Sequence, residues 1–157
     1  MIDRAMLPVS DQLADEDQLE LDRLVDSHNM ERSGIEDARL LSIMVRSSGG
    51  KLIAGLHGYT WGGYCEVKSL FVAAQLRGQG LGGTLLSSAE SEAVRRGCRL
   101  ILLTTHSFQA PRFYRKHGYG EVVRVEDCPK GHSYILMSKS LDRRGPQTKS
   151  RSCHVEN

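Results

Sequence analysis

Apolar and polar residues follow one another along this chain in two rhythms, and the point where one gives way to the other organises the rest. From Glu66 the run Val67, Leu70, Phe71 and Val72 reads as a short strand that loses its pattern at Ala73, Ala74 and Gln75. Beyond it Leu81, Leu85, Ala89 and Ala93 recur every fourth residue, the apolar stripe of a helix, and Gly97 closes it. Upstream, Leu40 to Arg46 and Leu52 to Thr60 flank Ser47-Ser48-Gly49-Gly50 as a hairpin, and Trp61-Gly62-Gly63-Tyr64 turns the chain into the central strand. Downstream, Leu100 to Leu103 predicts a parallel neighbour reached by a right-handed crossover. Pro111 to His117 then reads as a short helix, and Glu121 to Val125 with Tyr134 to Lys139 as a terminal hairpin. Ile2 to Leu7 predicts a first strand that Pro8 ends. Ser10 and Asp11 offer N-cap oxygens to one or two helices reaching Met30. The segment 141–157 has no apolar pattern and is expected to be a disordered tail, which leaves 1–140 as one domain.

Between strand and helix, Gly78, Gly80, Gly82 and Gly83 leave successive backbone N–H groups unobstructed. A glycine-rich turn that opens a helix aims free donors and the positive end of the helix dipole at one point, which suits a phosphate. A Walker-type loop is excluded, because the turn ends Gly83-Thr84 without the lysine that motif requires. Gly78, Gly80 and Gly83 do fit a dinucleotide fingerprint. Its ribose-binding acid is missing, however, since the next strand runs into Thr104, Thr105 and His106.

The string Arg77-Gly78-Gln79-Gly80-Leu81-Gly82 resembles the Arg/Gln-x-x-Gly-x-Gly/Ala motif of the GNAT superfamily of N-acetyltransferases. Ala110-Pro111-Arg112-Phe113-Tyr114-Arg115-Lys116-His117-Gly118-Tyr119 is similar to its second signature, at the family's usual separation. Thr105 to Pro111 resembles a bacterial subgroup of unassigned substrate. The resemblance implies an α/β (α+β) fold: a central mixed, mostly antiparallel twisted sheet with helices on both faces. It also implies acetyl-CoA as cosubstrate, an amine acceptor, direct transfer in a ternary complex, and a homodimer. Arg77, Gly78, Gln79, Gly80, Leu81, Gly82, Gly83 and Thr84 would hold the pyrophosphate. Ala110, Phe113 and Ser107 would adjoin the pantetheine arm, with Ser107 standing where many members carry Asn. A non-catalytic acyl-CoA-binding module is the alternative reading.

Acetyl transfer to an amine makes three demands. The amine must be neutral, although alkylammonium groups titrate near pKa ~10.4. The developing oxyanion needs donors, and the leaving thiolate benefits from a proton. By resemblance Glu66 is the base, and partial burial is expected to raise its pKa toward a useful range, while a salt bridge with Lys68 is the plainer role. By resemblance too, a backbone N–H of Leu70, Phe71 or Val72 serves the oxyanion where the central strand splays from its neighbour, and Tyr114 is the acid. For the acceptor, His28, Trp61, His106 and Gln109 stay open as contacts.

Composition, with 25% charged and 39% hydrophobic residues, is ordinary for a globular protein and assigns no activity. Charge is more useful, because it is uneven along the chain. Residues 1–40 hold four basic against eleven acidic side chains, whereas 41–140 hold thirteen against six, and the basic segment is the one assigned to a polyanionic coenzyme. The acids of the first segment would, by resemblance, attract a cationic amine. Basic residues are not interleaved with aromatics, so nucleic acid is not expected as a partner. No apolar run approaches membrane-spanning length and the first residues are acidic, which points to no membrane and a cytoplasmic location. Cys65, Cys98, Cys128 and Cys153 form no C-x-x-C pair, so reduced thiols and no metal are expected.

Overall fold

A computed structural model describes Leu7 and residues 9–142, which divide between Glu36 and Asp37 into two compact units. The strand expected over Ile2 to Leu7 falls outside the described residues except for Leu7, which lies in no regular element. In the first unit a single helix, α1 (Asp15–Ser33), begins four residues later than Asp11, with Ala14 at the N-cap. The oxygen of Ser10 instead accepts from Gln12 N–H at 3.0 Å, a local turn that competes with capping. Asp15, Glu16 and Asp17 fill the first turn, where their charge complements the dipole, and Gly34 ends the helix in the left-handed region. The apolar residues of α1 come at mixed spacings, and none of them is buried.

The second unit is a six-stranded sheet with β1 (Arg39–Arg46), β2 (Leu52–Trp61), β3 (Tyr64–Val72), β4 (Leu100–His106), β5 (Gly120–Val125) and β6 (Tyr134–Ser140) in the order β1-β2-β3-β4-β6-β5. Only β3 and β4 run parallel. The helix that joins them, α2 (Leu81–Arg95), lays Leu85, Leu86, Ala89 and Ala93 against a core that includes Leu56, Cys65, Val67, Ile101, Leu103, Ile135 and Met137. Leu86 is fully buried, and truncating such a side chain typically costs about 2–5 kcal/mol. The short α3 (Pro111–Lys116) adds Phe113 and Tyr114. Leu141 donates its N–H to Arg99 O at 2.8 Å and packs on the core, so the fold runs one residue past the expected boundary; the rest of the expected tail, from residue 143, is outside the described residues.

Two irregularities in β3 create the site. Its ladder to β4 stops at Val67 opposite Leu103, whereas its ladder to β2 continues to Val72 opposite Ala54. The parallel pair therefore splays, and the far half of β3 has an open edge. The ladder to β2 also slips: His57 faces Ser69 but Gly58 faces Val67, so Lys68 is a bulge residue without a partner. Gly58 is what permits the slip, because a Cβ there would fall on the carbonyl oxygen of Glu66.

Among the described residues no helix is long and apolar enough to cross a membrane, and no group of three or more His, Cys, Asp or Glu could hold a metal ion. Cys65, Cys98 and Cys128 are free thiols; burial pushes Cys65 up to about 12 and raises Cys98 as well.

Candidate active site

The splay opens onto a cleft of about 820 Å³. Residues 67–72 of β3 form one side, Arg77, Gly78, Gly80, Leu81, Gly82 and Gly83 the floor, and Thr104, Thr105, Phe108, Gln109, Ala110, Phe113, Tyr114 and His117 the other side. No Asp or Glu lines it, while Lys68 and Arg77 do. A polyanion meets no like charge there.

The floor is the start of α2. Gly78 and Gly80 take φ of 77° and 83°, a left-handed backbone that L side chains rarely adopt, and this lets the loop double back into the helix. No side chain caps α2, and the first intrahelical donor is Thr84 N–H to Gly80 O at 3.0 Å. The N–H groups of Leu81, Gly82 and Gly83 are thus left without helical acceptors. Gly82 and Gly83 are needed for space: a Cβ on Gly82 would stand 3.3 Å from Phe113 Cζ, and one on Gly83 2.8 Å from His117 Cε1. Arg77 donates through Nε to Val72 O at 3.0 Å and fastens the loop to the end of β3.

Just past the end of β3, Ala73 N–H donates to Ile53 O of β2 at 2.8 Å. Alternation along an antiparallel ladder then turns the amide of Phe71 toward β2 and the backbone groups of Leu70 and Val72 toward the gap. Across the cleft, Tyr114 is 8% exposed and its hydroxyl has no hydrogen-bond partner among the described residues. Burial raises its pKa, so it stays protonated and available as a donor.

Glu66 sits on β3 beside the gap. Tyr59 donates its hydroxyl to Oε2 at 2.6 Å, and Lys68 donates through Nζ to Oε1 at 2.6 Å. The lysine ammonium also lies 5.5 Å from the Tyr59 ring centre, and the Tyr64 hydroxyl is 3.2 Å from that of Tyr59. Partial burial pushes the Glu66 carboxyl up, but the bonds from Lys68 and Tyr59 and the lysine's charge outweigh it, and the group titrates below the usual carboxylate range. This corrects the expected upward shift: burial acts as anticipated, and two donors override it.

The acetyltransferase (GNAT) family profile matches residues 9–119. The chain belongs to this family. An acetyltransferase of Agrobacterium fabrum is 34% identical over 113 residues, spanning 72% of this chain and 82% of the relative. The blasticidin-S acetyltransferase of Streptomyces morookaense is 34% identical over 116 residues, spanning 71% and 85%. Among solved structures, an acetyltransferase from Bacillus cereus superimposes with a TM-score of 0.68 at 34% identity, covering 85% of this chain and 97% of that one. The fold class anticipated from the two motifs is that of these structures, and the activity is acetyl-CoA-dependent N-acetylation.

Within this acetyltransferase most of the anticipated coenzyme residues line one cleft: Leu70, Phe71, Val72, Arg77, Gly78, Gly80, Leu81, Gly82, Gly83, Ala110 and Phe113, with Tyr114. Gln79, Thr84, Ser107 and Glu66 are not part of the lining. Gln79 donates through Nε2 to Gln75 O at 3.1 Å, and the Thr84 hydroxyl turns back to Gly80 O. Ser107 Oγ accepts from Ser133 N–H at 3.0 Å, which fastens the β4 end to the β6 side. His106 stacks on Phe108 with centroids 5.2 Å apart, and Gln109 Oε1 accepts from His106 N–H at 2.8 Å; together they make an aromatic rim beside the cleft. The salt bridge expected between Glu66 and Lys68 is present, whereas two residues to which pattern reading gives no role matter here: Tyr59 and His117. Tyr59 could have been found by counting the hairpin register, since it pairs directly with Glu66.

Proposed function

We propose that the cleft binds acetyl-CoA with its pyrophosphate on the first turn of α2, and that an acceptor amine enters beside Glu66 and is acetylated directly in a ternary complex. The observation that carries this reading is the combination of uncapped N–H groups at Leu81, Gly82 and Gly83 with a lining free of carboxylates. Arg77 is the cation nearest in sequence to those donors, and Gly82 and Gly83 keep them unscreened by side chains. The coenzyme supplies an activated acyl group. The chain supplies everything else: Leu70 or Val72 N–H toward the acyl oxygen, Glu66 as acceptor of the amine proton directly or through a water, and Tyr114 as proton donor to the departing sulfur. Phenols ordinarily titrate near ~10 and thiols near ~8.5, and desolvation raises both, so a phenol held against the sulfur can protonate it as negative charge develops there.

The acceptor is read as a primary amine of a small molecule or peptide, and the relative named for blasticidin-S makes small molecules the first to try. The test is thiol release from acetyl-CoA across polyamines, aminoglycosides, nucleoside antibiotics and peptides. Amine-dependent release that falls in Tyr114→Phe is expected. Silence across the panel from a protein that binds coenzyme A in calorimetry would overturn the catalytic part and leave a binding module.

A further inference from the structure

Lys68 is the one lysine among the described residues that lines the cleft. Its ammonium is in 2.6 Å contact with Glu66 Oε1. The second oxygen of that carboxylate is tied up by Tyr59, so Oε1 is the oxygen left for an amine, and a protein amine already holds it. Lys68 is also the unpaired bulge residue at the point where β3 leaves β4, and its side chain is 49% exposed. Its backbone sits at the mouth of the splay, while its long stem retains the freedom to swing from Glu66 toward the gap. On the opposite side of the same cleft lies Tyr114.

From this placement, and resting on the acetyl-CoA reading above, we infer that Lys68 is itself an acetyl acceptor, modified within its own chain at the site it lines. The step balances. The lysine ammonium gives one proton to Glu66, which passes it to solvent. The neutral Nζ forms a bond to the acetyl carbon while the carbon–sulfur bond of acetyl-CoA breaks. The departing sulfur takes a proton from Tyr114, and the second proton lost from nitrogen restores the phenol. The products are Nε-acetyl-Lys68, free coenzyme A and one proton. The modification removes the charge that pairs with Glu66 and faces the Tyr59 ring, leaving Tyr59 as the carboxylate's remaining side-chain donor. Acetylation of Lys68 would therefore change the base that serves other amines.

The experiment incubates the full chain with acetyl-CoA and no added amine, then maps acetyl groups by peptide mass spectrometry over time. Coenzyme A binding is measured by calorimetry on the same preparations. Lys68 is expected to gain acetyl at least about tenfold faster than Lys51 and Lys130, which report the uncatalysed background, and Glu66→Gln is expected to remove most of that advantage. The rate per molecule should not change when the protein is diluted tenfold. Acetylation of Lys68 at the Lys51 and Lys130 rate, or undiminished in Glu66→Gln, or slowed by dilution, would overturn the inference if coenzyme A still binds. Loss of coenzyme A binding in the unmodified chain would instead overturn the reading of the cleft. Lys68→Arg, which keeps the charge beside Glu66, controls for folding and should show no acetyl at position 68.

Discussion

Gly83→Ala is the sharpest probe of the phosphate floor, because the structure fixes its sign through a single neighbour. The added methyl would sit 2.8 Å from His117 Cε1 and 3.2 Å from Nε2, well inside carbon–carbon contact distance. His117 cannot retreat freely, since its ring is packed 4.6 Å from that of Phe113, which in turn lies over Gly82. Overpacking of this kind costs about 1–3 kcal/mol, whereas replacing glycine by alanine inside a helix returns up to about 1 kcal/mol. The single variant should therefore lose on the order of 1–2 kcal/mol, a fall in Tm of roughly 2–8 °C for a chain of this size. Coenzyme A binding should weaken too, because α3 moves away from the donors of α2. In a His117→Ala background the same change should be neutral or mildly stabilising, as the obstructing ring is gone. Thermal unfolding and calorimetry on both singles and the double complete the cycle. If Gly83→Ala costs as much without His117 as with it, the two residues are not coupled and the account of this wall is wrong.

Three further outcomes are expected. Tyr114→Phe keeps the ring and removes the donor, so kcat should fall about 10²-fold with little change in coenzyme A affinity by calorimetry; an unchanged kcat would remove Tyr114 from the chemistry. Tyr59→Phe deletes a donor that favours the charged form of Glu66, so the carboxyl pKa rises and the acidic fall of kcat/KM sets in at higher pH than in the parent, and a pH profile that does not move would show that Glu66 is not the titrating base. Gly58→Ala would drive a methyl into the Glu66 carbonyl, a backbone atom that cannot step aside, so chemical denaturation should show a loss near the upper end of about 1–3 kcal/mol; wild-type stability would mean the bulge at Lys68 is not set by Gly58.

Much of this architecture was legible because its signals are local. The fourfold spacing of Leu81, Leu85, Ala89 and Ala93 needs only one helix to interpret, and Leu85, Ala89 and Ala93 are buried while Leu81 packs against the core. The glycines before α2 likewise carry their meaning within a few residues. What stayed hidden depends on two segments at once. The Lys68 bulge belongs to the register between β2 and β3, and neither strand records it alone. The length of β4 was underestimated at Leu103 because Thr104, Thr105 and His106 look polar; they extend the strand by pairing with Leu136, Ile135 and Tyr134. The direction of the Glu66 titration turns first on Lys68, two residues along the same strand and visible in the sequence, and then on Tyr59, which reaches the carboxylate from another strand and is hidden in either strand alone.

The two lips of the opening are braced from behind by different neighbours: β3 by β2 out to Val72, and β4 by β6 out to His106. An aperture propped in this manner does not zip shut when vacant, so a guest entering it need not first pry strands apart. Its width is consequently set by residues that never meet the guest, and changes on the outer strands offer a handle for tuning what fits inside.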